Sequence, residues 1–168
     1  MTPEEKFLKY FNHPELEVFY MSDRYHVSRN PFITHGIQEC TSVPIVINAK
    51  GVLWGGATHN NDELHFSIYM PQYIDRILNL THLSMDELAD MSLATGVAGD
   101  ETQHKQNMGY LREYGIHLAP YMRFEEFQGF IDFLFRGNIP GGEKKVLVIP
   151  ELQEVIMYSK PVGYIQLI

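Results

Sequence analysis

The sequence predicts an α+β domain in which a small antiparallel sheet packs against two or three helices. Three observations carry that expectation. Short runs rich in β-branched residues, bounded by turn residues, lie at 43–54 and 146–158, as strands require. Apolar residues recur at helical spacing from Tyr73 to Leu80 and from Phe124 to Phe135. The 168 residues are 45% hydrophobic, enough for one core, so 1–168 is read as a single domain.

Charge and composition narrow the function classes. A formal net charge of −8 disfavours a nucleic-acid backbone or an anionic membrane as the main partner and leaves a protein or peptide as the expected one. The single cysteine, Cys40, forbids an intramolecular disulfide and suits a reducing compartment. Met1-Thr2-Pro3-Glu4-Glu5-Lys6 opens on polar residues, and no apolar run reaches the roughly 18 residues of a membrane span. A cytoplasmic protein is the expectation.

The elements follow in order. Pro3 to Phe11 sets apolar Phe7, Leu8, Tyr10 and Phe11 among charges, a short helix ending near Asn12-His13-Pro14. Val18 to Met21 reads as a strand, while Asn30-Pro31 and His35-Gly36 are turn signals. Val43 to Asn48 and Val52 to Trp54 are strands joined by a turn at Ala49-Lys50-Gly51. Gly55-Gly56 loosens the chain, Asn60-Asn61-Asp62 turns it, and Leu64 to Met70 alternates like a third strand of a meander.

Helix is expected after Pro71, on Tyr73, Ile74, Ile77, Leu78 and Leu80. Ser84-Met85-Asp86-Glu87 matches a capping box. From that start Leu88, Met91, Thr95 and Ala98 share one side of a helix expected to reach about Met108. Gly96 and Gly99 each cost such a helix about 1 kcal/mol relative to alanine, which calls for a close approach to a neighbour or a kink. A loop holding His117 lies between Gly115 and Pro120, and a further helix is expected over 120–136. Val146 to Ile149, Glu154 to Tyr158 and Tyr164 to Ile168 make a small C-terminal sheet.

The chemistry-bearing stretch is Asp100-Glu101-Thr102-Gln103-His104. On a helix, Asp100 and His104 are four apart and share a face on which one ion can sit. Glu101 lies between them, where a carboxylate can take a proton from a metal-bound water. A third donor must come from elsewhere, from Glu125, Glu126 or His117. Glu126 shares a helical face with Met122 and Phe130, and a carboxylate on an apolar face needs a partner, a hydrogen bond or a metal. An Asp, His and Glu set suits Zn²⁺ and equally Mn²⁺ or Fe²⁺.

With its strand at Leu64–Met70, its helix carrying Asp100-Glu101-x-x-His104-x-Gln106 and its later Arg123-Phe124-Glu125-Glu126, the chain resembles the zincin metallopeptidases, in particular small phage and bacterial members. Aspartate stands where the first histidine of H-E-x-x-H belongs. The resemblance spans roughly Leu64 to Phe135. It implies a metal-dependent peptide-bond hydrolase with Glu101 as catalytic base and Asp100, His104 and Glu126 as metal ligands.

Two other classes compete. His-x-Ser occurs at His26-Ser28, His65-Ser67 and His82-Ser84. Two-histidine phosphodiesterases carry two such motifs on neighbouring strands as paired acid and base on a cyclic nucleotide or oligonucleotide. The acidic charge and many aromatic residues also suit a non-catalytic protein-binding module. No phosphate-binding P-loop occurs, and nothing around Cys40 marks an activated nucleophile.

Overall fold

The computed structural model describes residues 1–37, 40–61, 66–97, 101–119, 144–159 and 163–168, with the side chain of Glu101 excepted. Helix α1 (Pro3–Phe11) spans the expected residues; Thr2 and Glu5, which the sequence reading did not single out, form a reciprocal capping box, and Pro3 takes the first turn. The strands are β1 (Glu17–Val18), β2 (Tyr25–Ser28), β3 (Phe32–Ile37), β4 (Ile45–Ala49) and β5 (Val52–Thr58). Then come α2 (Phe66–Thr81), α3 (Met85–Met91), β6 (Ser92–Ala94), α4 (Glu101–Glu113) and β7 (His117–Leu118). Strands β8 (Lys144–Ile149), β9 (Glu154–Ser159) and β10 (Gly163–Gln166) close the chain.

The α+β class holds, but the sheet is neither single nor small. The described strands form two five-stranded sheets, ordered β1-β3-β8-β9-β10 and β2-β5-β4-β6-β7. Each is mixed, because β1 runs parallel to β3 and β6 parallel to β7. The C-terminal strands are no separate sheet; β8 pairs with β3, near the start of the chain.

Alternation along the strands sorts the core into layers. On β8 and β9, Val146, Val148, Val155 and Met157 pack with Phe32 of β3 and with Val46 and Ala57 of the other sheet. The intervening Leu147, Ile149 and Ile156 turn the other way, onto Phe7 and Tyr10 of α1. On β4, Ile45, Ile47 and Ala49 face Met70, Tyr73, Ile74 and Ile77 of α2, together with Leu88 and Leu111. The order is therefore α1, first sheet, second sheet, and then α2 with α3 and α4. Gly55 sets the spacing of the sheets: a methyl group there would stand 2.6 Å from Val148 Cγ1 and 3.3 Å from Phe32 Cε1.

Several expectations are corrected. The segment predicted as a strand over Leu64–Met70 is helical from Phe66, with Leu64 and His65 outside the described residues. Phe66, Met70, Tyr73, Ile74 and Ile77 form one continuous buried helical stripe, and that stripe outweighs the local alternation. Pro71 lies within α2 on its exposed side. Gly55 and Gly56 extend β5 rather than ending it. Gly36 lies within β3, next to a register shift, and the strand expected at Val18–Met21 is two residues long before a 3-10 turn at Met21–Asp23.

The single helix expected from Ser84 to Met108 is two helices separated by a strand. Its start is as read: the Ser84 hydroxyl accepts from the Glu87 amide and Glu87 accepts from the Ser84 amide. It stops at Met91 because Ser92–Ala94 pairs with β4. The helix expected over 120–136 lies outside the described residues. None of the described helices is long and apolar enough to cross a membrane.

Candidate functional site

Helix α4 starts at Glu101, so Glu101 and His104 lie one turn apart at its amino end. His104 is 2% exposed. Its ring packs against Gly96 in the segment after β6, where a methyl group would come 3.3 Å from Cε1 and Nδ1 and 2.5 Å from Met108 Cε. Gly96 therefore does supply a close approach, though from an extended segment and not from a helix. Burial, with a smaller contribution from the Arg112 charge, pushes the His104 pKa down to about 4. The ring is neutral at pH 7, which is the form that ligates a metal.

The other predicted site residues contribute less to this picture. Asp100, Glu125 and Glu126 lie outside the described residues, and of Glu101 only the backbone is described. His117 is exposed on β7 rather than in a loop, and β7 pairs with β6, the strand that precedes Gly96. Among the described residues, no three of His, Cys, Asp and Glu gather closely enough to hold an ion. Of the two predicted donors that are described, His104 is the buried one, and its neutral ring fits a divalent metal.

The His-x-Ser motifs are dispersed. Ser67 belongs to α2 and Ser84 caps α3. His26 is on β2, where Nε2 lies 2.7 Å from Glu17 Oε1 and the ring stacks on Phe19. Cys40 is half-buried, with its thiol directed at Met21 Sδ, 3.8 Å away.

A second polar group, absent from the sequence reading, lies at the far end of β5. His59 is 4% exposed and shares a 2.7 Å hydrogen bond through Nδ1 with Thr34 Oγ1, a tie between the two sheets. Burial first, then the His35 charge, pushes its pKa down to about 4. Next to it Asn60 is 2% exposed, and neither its amide nitrogen nor its oxygen has a hydrogen-bond partner among the described residues. Its backbone is fixed by reciprocal bonds to Thr41 of 2.9 and 2.7 Å. Leaving two such atoms unsatisfied costs on the order of 1–3 kcal/mol each.

His59 and Asn60 line a cavity of about 230 Å³ together with Met21, Ser22, Arg24, Asn61 and Tyr69. Asn60-Asn61 reads as a turn in sequence because short amides favour turns, and nothing local reveals that Asn60 is buried. Neither a family model nor any curated protein matches the chain.

Proposed function

We propose that this chain is a metal-dependent hydrolase of the zincin kind that cleaves peptide bonds, with Glu101 as base and Asp100, His104 and Glu126 as metal donors. The supporting observation is His104, a buried, neutral imidazole held against Gly96 on the helix that carries Glu101-x-x-His104. The reading rests on α4 and not on a preceding strand, since Phe66–Met70 is helical.

A divalent ion, when bound, supplies Lewis acidity and a water of lowered pKa. In this reading Glu101 takes the proton from the attacking water and returns it to the departing amine. His104 stays deprotonated at neutral pH because charging it would place an unsolvated cation in the protein interior. Gly96 leaves space for the ring, which a methyl group there would press at 3.3 Å while meeting Met108 Cε at 2.5 Å.

The test is hydrolysis of an unstructured protein substrate such as denatured casein by wild type and by Glu101→Gln. Cleavage by wild type that is lost in Glu101→Gln, with the fold intact by circular dichroism, is the expected result. Equal rates in the two proteins would overturn the assignment of the base.

A further inference from the structure

We propose that the cavity between Met21–Arg24, His59–Asn61 and Tyr69 is a binding site for a small organic anion whose carboxylate has a hydrogen-bond donor beside it, as in α-hydroxy and α-amino acids. No residue lining the cavity belongs to α4, and the inference does not depend on the hydrolase reading.

The positive charge comes from Arg24. Its guanidinium lies over the Tyr69 ring, 4.8 Å from the centroid, a cation–π contact that holds the charge at the cavity wall. Among the described residues no carboxylate forms an ion pair with it. The neighbouring Asp23 is engaged elsewhere, accepting from the Tyr20 amide at 2.8 Å. Arg24 also has φ 71° and ψ −49°, close to the strained γ-turn conformation that a residue with a Cβ rarely adopts. Its carbonyl is tied to the His59 amide at 2.8 Å, so the strained residue is joined directly to the opposite wall.

Asn60 supplies the specificity. It offers an amide NH₂ and a carbonyl oxygen, both unsatisfied among the described residues, on a backbone held against Thr41 by two hydrogen bonds. A carboxylate satisfies the amide N–H and the guanidinium together, and a ligand hydroxyl or amine satisfies the amide oxygen. The His59 ring is neutral and adds no second charge. A volume of about 230 Å³ is below that of drug-sized pockets, which restricts the ligand to a few heavy atoms.

The experiment is an NMR titration of the ¹⁵N-labelled full chain with glycolate, acetate and ethylene glycol, repeated on Arg24→Gln and Asn60→Leu. Saturable shifts confined to amides near Arg24, Asn60 and Tyr69 are expected with glycolate, weaker ones with acetate and none with ethylene glycol. Each substitution is expected to weaken glycolate by about tenfold or more. Asn60→Leu removes two unsatisfied buried atoms, so it is expected to bind poorly while melting no lower than wild type. Non-saturable shifts with glycolate, acetate binding equal to glycolate, or unchanged affinity in both variants would each overturn the site. Should Asn60→Leu fail to fold, Asn60→Asp takes its place, where a carboxylate repels the anion.

Discussion

Substituting Gly55 by alanine tests the layered arrangement at its tightest point. The added methyl would meet Val148 Cγ1 at 2.6 Å, Pro150 Cγ at 3.1 Å and Phe32 Cε1 at 3.3 Å. Carbon atoms prefer separations of about 3.5–4.0 Å, so the first contact is roughly 1 Å too short. None of the three neighbours can swing clear: Val148 is β-branched and fully buried, Pro150 is a ring, and Phe32 lies in the core between the sheets. The sheets must separate locally, at the cost of overpacking, about 1–3 kcal/mol. For a chain of this length that lowers Tm by about 2–12 °C. Gly109→Ala is the counterpart within α4, where a methyl meets nothing within 4 Å. It is expected to stabilise by up to about 1 kcal/mol through helix propensity. Urea unfolding of both variants, followed by circular dichroism, provides the measurement. A Gly55→Ala protein as stable as wild type would refute the close packing of the two sheets through β5 and β8.

Further outcomes follow from the buried polar groups and caps. His59 and His104 take up protons below about pH 6.5 when unfolded but resist until about 4 in the fold, so the unfolded state binds protons first and stability falls as pH drops through that window. Each ring contributes a loss of about 2 kcal/mol between pH 7 and 5. Urea midpoints measured with EDTA present check this; His59→Asn is expected to lose less, and equal midpoints at both pH values would contradict it. Ser84→Ala removes the α3 capping box and is expected to cost about 1 kcal/mol, read as a lower urea midpoint. Tyr73→Phe removes the buried hydroxyl that donates to the Val43 carbonyl at 3.1 Å, with an expected loss of about 1 kcal/mol in the same assay; an unchanged midpoint would deny that bond a role.

What the sequence discloses here depends on how local the cause is. The cap at Ser84 is complete within four residues and was legible. So were β4, β8 and β9, whose β-branched runs have no helical alternative of comparable strength. Phe66–Met70 was not, because five residues of alternation fit a strand until the apolar stripe is followed on to Ile77. The break at Ser92 is set by pairing with β4, 45 residues earlier in register at Ile47, a long-range cause that no local window contains. The same holds for the partition into two sheets, which depends on β3 joining β8 across more than a hundred residues. At the candidate sites, His104 was legible as part of a motif, and Gly96 as a close approach in the wrong backbone. Arg24, His59, Asn60 and Tyr69 converge from three separate segments, and their chemistry exists only once the chain is folded.

Metal occupancy at α4 decides whether the chain is a metal-dependent hydrolase of the proposed kind. The direct measurement is the metal content of the full chain, purified without chelators, by elemental analysis of wild type and His104→Ala side by side. About one equivalent of zinc, manganese or iron per chain in wild type, lost in His104→Ala while the fold persists, is the expected result. Wild-type protein without any of these metals, or a variant that retains them in full, would contradict it.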